Sequence, residues 1–157
     1  MTEERKPGRL HAIHVSNGGV PKLARERARV TVDGLSGDRQ RDLRFHGGPQ
    51  RAVSLYSLEL VDALRSEGHP IVPGAMGENL TLAGVDWSVM VPGTTIDVGE
   101  VRLVLTGFAS PCKNIAPAFR DEHFVRVSQK VHPGWSRLYA KVEREGVITI
   151  GDPVIVS

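Results

Sequence analysis

The sequence predicts a mainly β domain, a barrel or a sandwich, with one or two helices inserted between strands. Strand patterns along the chain are short and numerous. The 157 residues include 17 glycines and 10 prolines, which implies many turns. Strand follows strand without regular alternation with helices, and this order favours a barrel or sandwich over an α/β fold.

Alternation of apolar and polar residues supports the strand predictions. In residues 28–33 the side chains of Ala28, Val30 and Val32 share one face. Gly99 and Glu100 form a two-residue loop that can close a hairpin. The predicted strands are Leu10–Val15, Ala28–Asp33, Ala52–Tyr56, Asn79–Leu82, Thr95–Val98, Val101–Thr106, Arg137–Glu143, Val147–Ile150 and Pro153–Val156.

Two segments carry helical signals. Ser57 can cap a helix that runs through Leu64 and ends by Gly68. A second helix is predicted over residues 121–131, where Phe124, Val127 and Val131 recur at helical spacing.

Length and composition restrict the class of protein. A chain of 157 residues fits one domain spanning residues 1–157. It can bury about 70% of its unfolded surface, so its stability does not require a disulfide or a structural metal. Twenty basic residues against eighteen acidic ones do not favour nucleic-acid binding. No stretch approaches the ~20 apolar residues of a membrane span. The residues MTEERKPGR lack an apolar signal core, and one cysteine excludes an intramolecular disulfide, so we expect a cytoplasmic protein.

Cys112 is the main candidate for chemistry. It follows a predicted strand in the loop Ser110-Pro111-Cys112-Lys113. The positive charge of Lys113 favours the thiolate, which is a nucleophile and a soft metal ligand. From these residues alone, the alternative is a buried cysteine that packs as a small apolar side chain.

Residues 34–51 form a polar segment dense in arginine and glycine. The arginines can bind an anion through charge-assisted hydrogen bonds, and Gly47 and Gly48 permit close approach of the backbone to a ligand. His46 can serve as an acid or base, or as a structural hydrogen-bond donor. The alternative for the whole segment is a solvated loop with internal Arg–Asp pairs. The arginines are Arg39, Arg41, Arg44 and Arg51.

Two further turns contain polar candidates. Glu78 and Asn79 follow Gly74 and Gly77, and they either face a ligand or cap a turn. Ser16 precedes Asn17-Gly18-Gly19, which is either an anion-binding nest or a simple turn. No fingerprint for nucleotide, NAD or flavin binding is present in the sequence.

Three segments together resemble the MOSC family, in particular its small stand-alone bacterial members of the YiiM type. They read GLSGDRQRDLRFHGGPQRAVSLYS, PGAMGENLTLAGVDW and SPCKNI, and the tail GWSRLYAKVEREGVITIGDPVIV also resembles the family's ending. The resemblance runs from about Leu10 to Val156 in the family's order. It implies a MOSC-type β-barrel and a molybdenum cofactor, with molybdenum bound to molybdopterin, and no pyridoxal phosphate.

The resemblance also implies site residues. Cys112 would be the protein ligand to molybdenum, and Arg39, in the family's Gly-Asp-Arg segment, would help to hold the pterin phosphate together with Ser16. Val15 and the pair Phe108-Ala109 stand where relatives have a lysine and an arginine. The implied cofactor-binding residues are Ser16, Arg39, His46, Arg51, Asn79, Ser110, Cys112 and Lys113, and the implied catalytic residues are Cys112 and His46.

For function, the resemblance favours a molybdenum-dependent reductase of N-hydroxylated bases or amidoximes. Such an enzyme would take a small-molecule substrate and receive electrons from a separate flavin or iron–sulfur protein, with no nucleic-acid or membrane partner. Two alternatives remain. Cys112 can carry sulfur as a persulfide, or the protein can bind the cofactor without chemistry of its own.

Overall fold

The computed structural model describes residues 7–16, 23–38 and 48–157. Within these ranges the chain forms eleven strands and one α-helix, α1 (Leu58–Ser66). The strands are β1 (Gly8–Val15), β2 (Leu23–Arg25), β3 (Arg27–Thr31), β4 (Gly34–Leu35), β5 (Val53–Ser57), β6 (Leu80–Ala83), β7 (Thr95–Val98), β8 (Val101–Phe108), β9 (Leu138–Arg144), β10 (Gly146–Thr149) and β11 (Pro153–Val156).

Seven of the strands close into a barrel, which confirms the predicted fold class. Their order is β11-β7-β8-β9-β5-β6-β1, and β1 pairs with β11 to complete the ring. Every pairing in the ring is antiparallel except β5 with β6, which α1 connects as a crossover. Fully buried apolar side chains fill the interior, among them Ile13, Leu55, Leu80, Leu103 and Leu138.

Short strands flank the barrel. β2 pairs with the end of β1, and β10, β3 and β4 form a separate three-stranded sheet. The predicted strand pattern did not include β2 or β4, which have three and two residues. Val32 is exposed rather than sharing the face of buried Val30, because β3 ends at Thr31 and the chain turns there.

The first predicted helix is confirmed. Ser57 is its N-cap, and its hydroxyl accepts a hydrogen bond from the backbone N–H of Leu60 at 3.2 Å. The side chains of Val61 and Leu64 are buried against the barrel. No helix in the described ranges is long and apolar enough to cross a membrane.

The prediction of a second α-helix over residues 121–131 is wrong. The segment forms two short 3-10 turns, Arg120–Glu122 and Phe124–Val127, interrupted by positive φ angles of 55° and 56° at Asp121 and Glu122. Tertiary contacts account for the break. The backbone N–H of Arg120 donates to His69 Nδ1 at 3.1 Å, and Arg126 pairs with Glu67 at 2.8 Å.

Candidate functional site

The loop that carries Cys112 leaves the barrel at the end of β8. Its first residue is fixed by the segment that leads into β9: the N–H of Ala109 donates to the carbonyl of Arg137 at 2.9 Å, and the Ser136 hydroxyl donates to the carbonyl of Ala109 at 3.1 Å. Cys112 then begins a 3-10 turn, Lys113–Ala118. Its thiol is free and half-buried, outside the apolar core cluster. This position gives the thiol partial access to solvent.

Arg137 lies beneath this loop. Its Nη2 donates to the carbonyl of Ser110 at 3.4 Å, and its Nη1 donates to the carbonyl of Met76 at 2.8 Å. Met76 belongs to the turn formed by residues 74–79, so one side chain bonds to two separate loops. Arginine suits this arrangement because its fork presents several N–H donors in fixed directions.

Asn79 organises the opposite half of the site. Its side-chain oxygen accepts hydrogen bonds from the N–H and hydroxyl of Ser54, at 3.0 and 3.2 Å. Its amide nitrogen donates to the carbonyl of His14 at 3.2 Å and to Asp38 Oδ2 at 2.9 Å. These four bonds use the full capacity of the amide group. Asn79 therefore links β1, β5 and Asp38 through its side chain.

Asp38 extends this network to Ser16. Its Oδ1 accepts a hydrogen bond from the backbone N–H of Ser16 at 2.9 Å, while its Oδ2 is held by Asn79. Ser16 and Asp38 are both half-buried. The network thus places the end of β1 beside the Gly37–Asp38 turn.

Gly74 begins the turn that leads to Asn79, and a side chain does not fit there. Its φ is 85°, and a Cβ atom would lie 2.6 Å from Cδ2 of His14. His14 is buried, so it has little room to move. The close approach of the turn to β1 therefore requires glycine.

Glu78 is completely buried in the same turn, and burial raises the pKa of its carboxyl above the ordinary value. The backbone amides of Gly74 and Met76 and the guanidinium of Arg137 oppose that shift. The Thr81 hydroxyl donates to its Oε2 at 3.5 Å. Burial therefore disfavours the charged form of this carboxyl, and its hydrogen bonds compensate for part of the lost hydration.

Tyr139 connects the cysteine loop to further positive charge. Its ring lies 5.6 Å from the guanidinium carbon of Arg51. Burial raises the pKa of the Tyr139 phenol, the charges of Arg137 and Arg51 oppose that shift, and Cys112 adds to it. Tyr139 therefore lies within electrostatic range of Cys112 and of both arginines.

The structure describes six of the eight predicted site residues. Ser110, Cys112 and Arg51 lie around Arg137 and Tyr139, Lys113 is exposed on the cysteine loop, and Ser16 and Asn79 meet through Asp38. Arg39 and His46 fall outside the described residues, so the predictions for their roles stay predictions.

Sequence reasoning did not select Arg137 and Tyr139 as site residues. The signal that could have found them is the pairing of β8 with β9, in which Tyr139 stands opposite Gly107 and Leu138 opposite Phe108. That register brings the start of β9 to the strand end from which the cysteine loop departs.

The donor groups fit a cofactor that brings most of its own metal ligands. Among the described residues no three His, Cys, Asp or Glu side chains converge as a metal site. The loop offers one thiol, whose thiolate is a soft metal ligand, and Arg51 lies over the ring of Tyr139 as a cation for an anionic group. These residues are consistent with a pterin-bound metal.

The chain belongs to the MOSC domain family, whose model matches residues 42–155. MOSC domains are in general associated with the molybdenum cofactor. The chain is 28% identical over 138 residues to the uncharacterized protein YflK of Bacillus subtilis (strain 168), covering 87% of this chain and 62% of YflK. It is 29% identical over 111 residues to the protein YiiM of Escherichia coli (strain K12), covering 68% of this chain and 50% of YiiM.

Solved structures show the same fold at lower identity. YiiM from Geobacillus stearothermophilus superposes with a TM-score of 0.74 at 22% identity, covering 96% of this chain and 75% of that one. The YUAD protein from Bacillus subtilis gives a TM-score of 0.74 at 19% identity, covering 98% and 97% of the two chains. The comparisons support a YiiM-type MOSC domain. The chain spans 62% of YflK and 50% of YiiM from Escherichia coli.

Proposed function

We propose that this protein binds the molybdenum cofactor and reduces N-hydroxylated compounds, such as N-hydroxylated bases or amidoximes. The observation that carries the proposal is the half-buried thiol of Cys112, on the loop whose Ser110 carbonyl accepts a hydrogen bond from Arg137. Arg51 lies 5.6 Å from the ring of Tyr139, which pairs with Gly107 at the strand end that leads into this loop. Membership of the MOSC family supports the cofactor.

Cys112 would bind the metal. The positive charge of Arg51, with Arg39 and Ser16 as predicted partners, would hold the pterin phosphate. Asn79 would act through Asp38, because its amide group is already fully bonded inside the protein. When bound, the cofactor supplies a metal that can exchange two electrons and take oxygen from nitrogen.

The overall reduction breaks the N–O bond of the substrate, consumes two electrons and two protons, and releases water. The sequence has no fingerprint for flavin binding, and its single cysteine cannot hold an iron–sulfur cluster, so a separate flavin or iron–sulfur protein would deliver the electrons. Tyr139 retains its proton near neutral pH because burial raises the pKa of its phenol. His46 remains a candidate proton donor.

One alternative is sulfur transfer through a Cys112 persulfide. It is favoured by the same partial exposure of the thiol, since sulfur transfer requires a thiol that a partner can reach. The second alternative, a cofactor-binding module without its own chemistry, uses the same residues and predicts binding without turnover.

The test is metal analysis of protein expressed in a host that makes the molybdenum cofactor, comparing wild type with Cys112→Ala. Asn114→Ala serves as the matched loop control, because Asn114 lies on the 3-10 turn that Cys112 begins and is not among the predicted site residues. Near-stoichiometric molybdenum, and reduction of an N-hydroxylated base with an artificial electron donor that depends on Cys112, would support the enzyme. Sulfane sulfur on Cys112 without molybdenum would support the carrier, and cofactor without turnover would support the module.

A further inference from the structure

Arg137 is buried to an unusual degree for an arginine. It is 5% exposed, and no direct ion pair involves it among the described residues. Its Nε has no hydrogen-bond partner in the same part of the chain. The guanidinium instead bonds to the carbonyls of Met76 and Ser110.

Burial of a cation is costly unless other groups compensate for lost hydration. The carboxyl near Arg137 that the structure identifies is Glu78, whose own ionisation burial disfavours. An apolar side chain of similar volume would occupy this position at lower cost. Stability alone therefore does not explain Arg137, and its two bonds to loop carbonyls are the distinctive feature.

The two bonded carbonyls belong to the two halves of the candidate site. Ser110 lies two residues before Cys112, and Met76 lies three residues before Asn79. The backbone carbonyl of Arg137 also accepts the N–H of Ala109 at 2.9 Å, so residue 137 fixes the start of the cysteine loop twice.

We propose that Arg137 is a positioning residue, whose guanidinium fixes the cysteine loop against the turn of residues 74–79 and so determines where Cys112 stands relative to the Asn79 network. This role is the same whichever chemistry Cys112 performs. It concerns the protein before any cofactor binds, so it can be tested independently of the proposed function.

The experiment uses the apoprotein and the variants Arg137→Met, Arg137→Lys and Arg102→Met. Arg102 is the matched control, since it also makes two side-chain hydrogen bonds, to Asp97, but at the far end of β8, roughly 20 Å along the strand. Hydrogen exchange is measured at residues 109–114 and 74–79. In parallel, a nitroxide label on Cys112, the chain's single cysteine, reports how mobile that position is.

We expect Arg137→Met to speed amide exchange about tenfold in both segments, the factor that corresponds to loss of one hydrogen bond from a charged donor. The label should become mobile. Arg137→Lys should recover only part of the protection, because an ammonium group keeps the charge and the N–H donors but lacks the planar fork. Arg102→Met should leave both segments and the label unchanged.

Exchange that increases in only one segment, or throughout the barrel, or a label whose mobility stays that of wild type, would overturn the proposal. If Arg137→Met does not fold, Arg137→Lys decides alone. Faster exchange in both segments then supports the proposal, and wild-type exchange in both rejects it. Molybdenum content enters neither readout, so failure here leaves the proposed function to its own test.

Discussion

The two loops that form the candidate site are held in different ways. The turn of residues 74–79 is packed into the protein, with Glu78 and Asn79 completely buried and the Asn79 amide fully bonded. The cysteine loop is held mainly through its backbone. Cys112 is half-buried, and Lys113 is exposed. The difference separates a rigid platform from a segment that presents a reactive group, a division that is common where scaffolds support chemistry.

Replacing Asn79 should have the largest effect on stability. Asn79→Leu removes four side-chain hydrogen bonds and leaves buried partners such as the N–H of Ser54 unsatisfied. We expect a loss of about 3 kcal/mol or more in the free energy of unfolding, measured by urea denaturation. Asn114→Leu in the cysteine loop is the control. Equal losses in the two variants would remove the distinction between platform and presenting loop.

Gly74→Ala should have the next largest effect, and Gly37→Ala separates its two causes. Both glycines have φ of 85°, but a Cβ at Gly37 has no atom of the described residues within 4 Å, whereas one at Gly74 lies 2.6 Å from His14. Gly37→Ala should cost about 1 kcal/mol from backbone strain alone. Gly74→Ala should cost about 1–3 kcal/mol more because the packed turn must shift. Similar melting temperatures for the two variants would contradict a tightly packed turn.

Glu78→Gln should have a moderate effect on how the free energy of unfolding depends on pH. Because the pKa of Glu78 is raised in the folded state, its contribution to stability is complete below the unfolded pKa and is lost as pH rises through the folded value. The stability of Glu78→Gln relative to wild type should therefore increase with pH above about 4.5, by at most about 1.4 kcal/mol per unit.

Glu67→Gln should change the free energy of unfolding with pH in the direction opposite to Glu78→Gln. The hydrogen bond from Arg126 holds the pKa of the exposed Glu67 carboxyl below its usual value. Its contribution is present above the unfolded pKa and is lost as pH falls, and solvent keeps it small. Denaturation across pH should show the two variants diverging from wild type at opposite ends of the range. If the stability curves of the two variants run parallel to one another, the pKa of Glu78 is not raised in the folded protein.

The smallest effect is expected for Cys112→Ser. The thiol is half-buried and outside the core cluster, so the free energy of unfolding should change by less than about 0.5 kcal/mol. Calorimetry of the apoprotein measures this directly. A loss comparable to that of Asn79→Leu would identify Cys112 as a packing residue and remove the basis of the candidate site.

Local signals in the sequence were sufficient for much of the fold. The Gly99-Glu100 hairpin and the Ser57 cap each depend on a few adjacent residues, and both are present in the structure. The helix predicted over residues 121–131 does not form, because His69 and Glu67, far away in sequence, hold the two turns of this segment apart. Propensity cannot account for such contacts.

The candidate site was predicted in part. Motif resemblance selected Cys112 and Asn79, but the bond between Asn79 and Asp38 joins residues 41 apart, and the contact of Arg137 with Met76 spans 61. These partners become neighbours only after the barrel closes, which no local pattern encodes. The same applies to the crowding of Gly74 against His14.

The pairing of β1 with β11 also affects how the protein is made. Gly8 stands opposite Val154, and Arg9 opposite Pro153, so the ring joins residues almost a full chain length apart. During synthesis β1 emerges from the ribosome long before β11 exists. Until then β1 lacks this partner and exposes backbone groups that can pair with other chains. A nascent chain stalled before residue 153 should therefore bind chaperones and aggregate more readily than the released protein.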